Sequence, residues 1–185
     1  HIAGIPVRVD QNIAAVHDAT PDYLCLQLIH GGPIDAIDRS ERHLLVELVR
    51  DAARALHHAH EHGIVHRDVK PSNLLVEGLA EGRHVYVVDF GLAKELAEEG
   101  ATHTGVVGTP AYMAPEQAQG RASAIDARSD VYALGATLQR CLTGAPPFAD
   151  RDLPTLLRRV VEEEPRAAGV ERDLDLVLLK CLAKE

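Results

Sequence analysis

Between Ser40 and His62 apolar side chains return every three or four residues, at Leu44, Leu45, Leu48, Ala52, Ala55, Leu56 and Ala59, and Gly63 follows. That period places them on one face of an amphipathic helix, and the glycine supplies its stop. A second apolar helix is predicted to run to Leu142, with Ser129 or Asp130 capping its start. Leu153 to Glu164 and Leu174 to Ala183 repeat the helical pattern. Elsewhere the runs are short. Ile13 to Ala19 and Tyr23 to Ile29 flank the turn signal Thr20-Pro21-Asp22 and read as a hairpin. Leu74 to Val76 and His84 to Val88 read as a second hairpin bracketing Gly78 to Gly82, with Asp89 just off its end. Ile64 and Val65 are expected to enter a further short strand.

Composition narrows the class. The chain has 185 residues, enough for one domain with a real core and too few for two large ones. Its 46% hydrophobic and 25% charged residues are ordinary for a globular fold. A net charge of −9 argues against a general binder of nucleic acid or anionic membranes. The three cysteines, Cys25, Cys141 and Cys181, are scattered with no C-x-x-C pair, and read as reduced, partly buried thiols of a cytoplasmic protein. No apolar run approaches the roughly 18 residues that span a bilayer, and no signal peptide opens the chain. The first residue is not methionine and Lys184-Glu185 falls inside a helical pattern, so both ends read as cuts through a longer parent, for which a membrane anchor is allowed.

The chemistry is concentrated in His66-Arg67-Asp68-Val69-Lys70-Pro71-Ser72-Asn73, followed by Asp89-Phe90-Gly91. Two carboxylates, a lysine and an amide oxygen share one short stretch. A highly charged phosphoryl-transfer transition state needs positioning and charge neutralisation more than covalent help. Asp89 and Asn73 offer oxygen ligands of the kind magnesium takes. Asp68 lies close enough to Asn73 to share a loop and accept a proton, and Lys70 supplies a positive point charge. The pattern H-R-D-x-x-x-x-N with a later D-F-G resembles the catalytic and metal-binding loops of Hanks-type serine/threonine protein kinases, most like the bacterial ones. The resemblance implies that Asp68 is the base, Lys70 contacts the transferred phosphate, Asn73 and Asp89 hold Mg2+, and ATP is the donor.

Further segments extend the resemblance. Gly108-Thr109-Pro110-Ala111-Tyr112-Met113-Ala114-Pro115-Glu116 is similar to the end of a kinase activation segment, in which Thr109 bonds near the base and the lysine. Thr109 and Lys70 point to serine or threonine acceptors. Arg128 to Gly135 resembles the buried helix whose aspartate, here Asp130, anchors the catalytic loop from below. The first hairpin then corresponds to the last strands of the N-terminal lobe, with Leu26 as gatekeeper and Gln27-Leu28-Ile29 as the hinge that meets adenine. The implied fold is α+β and protein-kinase-like, mainly the helical C-terminal lobe (30–185) plus a hairpin remnant of the N-terminal lobe (1–29). Arg67 before Asp68 implies an activation segment ordered by phosphorylation, with Thr102 or Thr104 as autophosphorylation acceptors and Arg67 and Lys94 as partners of the phosphate.

His57, His58, His60, His62 and His66 are dense, and His58 and His62 have the i, i+4 spacing of a helical metal pair. No acidic or thiol third ligand lies at an obvious spacing and H-E-x-x-H is absent, so the cluster is not read as a metal site.

The departures are equally specific. Residues 1–12 contain no G-x-G-x-x-G, no lysine and no glutamate, so the phosphate-covering loop, strand lysine and glutamate partner that a complete kinase needs are not visible here. Glu116 is expected to lack its arginine partner. Ser72 stands where basophilic kinases carry glutamate, which gives no support for upstream arginine in substrates. The chain on its own is expected to turn over little. The alternative reading is a catalytically inactive, kinase-like interaction module.

Overall fold

The structure, a computed structural model, describes residues 10–19, 24–79, 82–90 and 109–184. The expected amphipathic helix is α1, Arg42–Glu61, and it buries Leu45, Leu48, Val49, Ala52, Ala55, Leu56 and Ala59. Gly63 ends it in the left-handed region at φ 76°, where a side chain is disfavoured, and the N–H of Ile64 turns back to the Ala59 carbonyl. Ile64 and Val65 are not a strand: with Ile64 spent on this helix end, the chain runs straight into His66.

Among the described residues five strands form two sheets. β1 (Val16–Ala19) and β2 (Leu24–Leu26) pair antiparallel, as the first hairpin requires; its turn, Thr20-Pro21-Asp22, and Tyr23 lie outside the described residues. β3 (Gly31–Pro33), β4 (Leu74–Leu79) and β5 (Gly82–Val87) form the second sheet in that order, antiparallel throughout. The β4–β5 hairpin is longer than its apolar residues suggested, because the ladder continues through Glu77, Gly78 and Leu79 opposite His84, Arg83 and Gly82. β3 was not anticipated. It is possible because Gly31 has no side chain, since a Cβ there would lie 2.1 Å from the Val76 carbonyl oxygen.

The segment before β1 is laced onto β5. Val87 donates to Asn12 O at 2.7 Å, Ala14 donates to Val87 O at 3.1 Å, and the buried Asn12 carboxamide donates to Val85 O at 2.8 Å. The first hairpin is thereby held next to the end of β5.

Four further helices complete the described residues: α2 (Pro115–Ala118), α3 (Ala127–Thr143), α4 (Leu153–Glu162) and α5 (Arg172–Cys181). α3 starts earlier than expected. Its cap is Asp126, whose side chain accepts from the Arg128 N–H, while Ser129 and Asp130 lie inside the first turn and are buried. At the far end Gly144 takes φ 83° and closes the helix on the Arg140 carbonyl.

The main core joins Leu45, Leu48, Ala52 and Leu56 of α1 to Leu74, Val76, Val85 and Val87 of the sheet and to Ala133, Leu138 and Leu142 of α3. Burying each such leucine or valine contributes about 1.5–3 kcal/mol. Gly135 lets α5 press against α3, as a Cβ there would come within 2.7 Å of the Cys181 Cβ. Cys141 is buried and Cys181 half-buried, whereas Cys25, expected partly buried, is exposed because it alternates away from Leu26 on β2; all three are free thiols. Among the described residues no helix is long and apolar enough to cross a membrane.

Candidate active site

The segment from His66 to Asn73 has little regular structure of its own and is shaped by side chains from elsewhere. Asp130, 1% exposed, accepts the N–H of His66 on Oδ2 and the N–H of Arg67 on Oδ1, each at 2.8 Å. His60 Nε2 lies 2.7 Å from Asp130 Oδ2, so this buried carboxylate is held by three partners from two segments. His66 is buried, with Nε2 2.9 Å from Val88 O and its ring 4.7 Å from that of Phe90. The Asp68 N–H donates to His66 Nδ1 at 3.3 Å, which assigns the imidazole proton to Nε2.

Arg67 stands at φ 67° and Asp89 at φ 59°, both left-handed and both uncommon for residues with a side chain. Such a backbone costs about 1–3 kcal/mol and persists only where its surroundings over-determine it. At Arg67 they do: its N–H is held by Asp130, and its carbonyl accepts from Gln117 Nε2 at 2.8 Å.

Asp68, Lys70 and Thr109 converge. Lys70 Nζ is 2.8 Å from Asp68 Oδ2 and donates to Thr109 Oγ1 at 2.9 Å, while the Thr109 N–H donates to Asp68 Oδ1 at 3.2 Å. A carboxylate, an ammonium and a hydroxyl thus close a ring that ties the loop before β4 to the segment before α2. Asn73 is fixed separately: its Nδ2 donates to Asp68 O at 2.9 Å, and its Oδ1 accepts from the Ser72 hydroxyl at 3.3 Å.

Asp89 is brought to the same place by the hairpin. Leu74 pairs with Val87, and Val88 donates to the Asn73 carbonyl at 3.0 Å, so the residue after Val88 emerges alongside Asn73. Asp89 is exposed there. A carboxylate such as that of Asp89 and an amide oxygen such as that of Asn73 are hard oxygen donors, whose chemistry suits magnesium better than a softer metal.

Gln27, Leu28 and Ile29 follow β2. The Gln27 N–H donates to Ala15 O at 2.8 Å, and its side-chain oxygen accepts the Ala15 N–H at 3.2 Å, so Gln27 is clasped to the strand beside it. Leu28 is 75% exposed, and His30 donates its N–H to Glu77 Oε1 on β4 at 2.9 Å. Glu116 takes the Ser129 hydroxyl in close contact. Thr102, Thr104, Lys94, Gly91 and Gly108 lie outside the described residues.

Two residues escaped the sequence reading. His60 was weighed only as part of a histidine cluster, and nothing local to α1 announces its contact with Asp130, seventy positions on. Gln117 had a partial signal. A glutamine at the third position of a helix, after proline at the first, is the reach-back half of a capping box, and its Oε1 does accept the Ala114 N–H at 3.1 Å. That its other end reaches Arg67 is visible only in three dimensions.

Residues 9–184 match the protein kinase domain family, and the chain belongs to it. The α+β, kinase-like fold expected from the motifs is borne out. Bacterial serine/threonine-protein kinases are among its relatives. The chain is 38% identical over 192 residues to the serine/threonine-protein kinase PknB of Mycolicibacterium smegmatis, covering 93% of this chain and 30% of that protein. It is 39% identical over 173 residues to PknB of Mycobacterium leprae, covering 88% and 27%. With the DNA damage-responsive serine/threonine-protein kinase RqkA of Deinococcus radiodurans the identity is 45% over 159 residues, covering 80% and 23%. The chain therefore spans less than a third of the length of these relatives.

Proposed function

We propose that this chain carries the catalytic half of a serine/threonine kinase site, which transfers the γ-phosphoryl of Mg-ATP to protein Ser and Thr hydroxyls. The observation that carries the reading is the ring of Asp68, Lys70 and Thr109, closed by contacts of 2.8, 2.9 and 3.2 Å. In it a base, a cation and an acceptor-side threonine are oriented towards one another.

The acceptor hydroxyl oxygen forms a bond to the γ-phosphorus, its proton passes to the Asp68 carboxylate, and the bond from that phosphorus to the β,γ-bridging oxygen breaks with its electron pair leaving on ADP. Lys70 keeps the Asp68 carboxylate aimed and lends positive charge to the phosphoryl group in flight. Asn73 and Asp89 would hold magnesium, which would supply charge neutralisation on the phosphates when bound. Adenine is read by backbone groups of Gln27, Leu28 and Ile29, a reading supported by the clasp of Gln27 on Ala15. Residues 1–29 then belong to the N-terminal lobe and 30–185 to the C-terminal lobe. Thr102 and Thr104 are the candidate sites of autophosphorylation, and the domain works in the cytoplasm.

The test is transfer of label from γ-labelled ATP to a Ser/Thr protein acceptor by the protein that carries this chain. Asp68→Asn is expected to lower the rate on the order of 100-fold or more. An unchanged rate would remove Asp68 from its role, and nucleotide binding without any transfer by the unmodified protein would favour an interaction module.

A further inference from the structure

The peptide linking Arg67 to Asp68 is gripped at both of its polar ends. Its carbonyl oxygen accepts from Gln117 Nε2 at 2.8 Å, and its N–H donates to His66 Nδ1 at 3.3 Å. The same carboxamide of Gln117 accepts the Ala114 N–H at 3.1 Å, so one side chain, 5% exposed, spans the catalytic loop and the segment that carries Thr109. Its orientation is unambiguous, since the amide nitrogen faces a carbonyl and the amide oxygen faces an N–H.

We propose that Gln117 is a positioning residue for Asp68. The inference rests on reading Asp68 as the base. Rotation of the 67–68 peptide changes ψ of Arg67 and φ of Asp68 together, and so swings the Asp68 side chain. Arg67 sits at φ 67°, where an unheld residue would relax towards negative φ. The Asp130 carboxylate fixes the N–H side of Arg67, and Gln117 fixes its carbonyl. Because the other end of the carboxamide holds Ala114, a shift of the acceptor-side lip is transmitted to the orientation of the base. Gln117 touches no reacting atom in this scheme; it acts through the peptide.

Three substitutions separate the bonds. Gln117→Glu keeps an acceptor for Ala114 and sets a carboxylate oxygen against the Arg67 carbonyl. Gln117→Met keeps the length and loses both bonds, and Gln117→Asn is too short to span them. In the protein that carries this chain, all three are expected to lower kcat on the order of 10- to 100-fold at nearly constant KM for ATP. A purely structural glutamine would instead lower the thermal midpoint and the folded fraction while leaving kcat per folded molecule unchanged, and that result overturns the proposal. Amide hydrogen exchange gives a readout independent of turnover: Gln117→Met is expected to expose the Asp68 amide faster than the unmodified protein, and equal protection overturns the link. If the unmodified protein transfers no phosphate, the proposed function fails, while the exchange comparison still decides whether Gln117 holds the loop.

Discussion

Arg67 donates its backbone N–H to Asp130 Oδ1 over 2.8 Å, although sixty-three positions separate the two residues. The same carboxylate takes His66 N–H and His60 Nε2. A helix side chain thus stands in for the strand partner that the catalytic loop lacks.

Replacing Asp130 by alanine leaves two backbone N–H groups without their acceptor in a water-poor site. A loss of about 3 kcal/mol is expected in chemical denaturation. Asp130→Asn keeps one acceptor oxygen and turns an amide NH2 towards the other donor, so an intermediate loss is expected. Equal stability of Asp130→Ala and the unmodified chain would contradict the anchoring role.

The Lys70–Thr109 contact predicts a hydroxyl requirement. Thr109→Ser retains the Oγ that accepts from Lys70, whereas Thr109→Ala leaves the ammonium with Asp68 alone. Steady-state kinetics on the protein carrying this domain should show Thr109→Ala slower on the order of tenfold, and Thr109→Ser close to the unmodified enzyme. A similar fall in both would mean that the methyl group, rather than the hydroxyl, is what matters.

At the start of α3, Asp126 caps the Arg128 N–H, and hydrogen bonds from the Arg128 side chain and backbone hold its carboxyl below the usual carboxylate range. Asp126→Ala should cost about 1 kcal/mol at neutral pH. A depressed folded-state pKa means that this contribution is complete above the unfolded value and is lost as pH falls through the folded one. The difference between the two proteins in thermal midpoint should therefore shrink on acidification; a difference constant with pH would detach the cap from the charge.

Thiol reactivity should divide the cysteines by position. Burial, with the nearby Asp35 charge, pushes the Cys141 thiol up to about 12, and burial also raises Cys181. Both stay un-ionised at neutral pH, so native-state alkylation followed by peptide mass spectrometry should label the exposed Cys25 first. Early labelling of Cys141 would show that the α3 core opens.

Periodicity alone located α1, because its burial repeats every three to four residues and its glycine stop is explicit. The proposed site residues were equally easy to single out, since Asp68, Lys70, Asn73 and Asp89 lie in two short motifs. What sequence did not reveal depends on distance. The α3 cap was placed late because Ser129 and Asp130 are themselves good cap residues, and only their burial, with Asp130 turned to the loop, disqualifies them. β3 was invisible because a Gly-Gly-Pro stretch carries no strand propensity; it pairs because β4 offers an edge and Gly31 fits against it.

The sheet of β3, β4 and β5 has a consequence for how this site tolerates change over time. Leu28 and Ile29 stand just before one strand, Asn73 just before the next and Asp89 just beyond the third, so their separations are fixed by ladder registers rather than by the identity of core side chains. Peptide geometry does not drift when a leucine becomes a valine. A change of core side chain therefore leaves the spacing of these segments in place, whereas at Gly31 even a methyl group would meet the Val76 carbonyl.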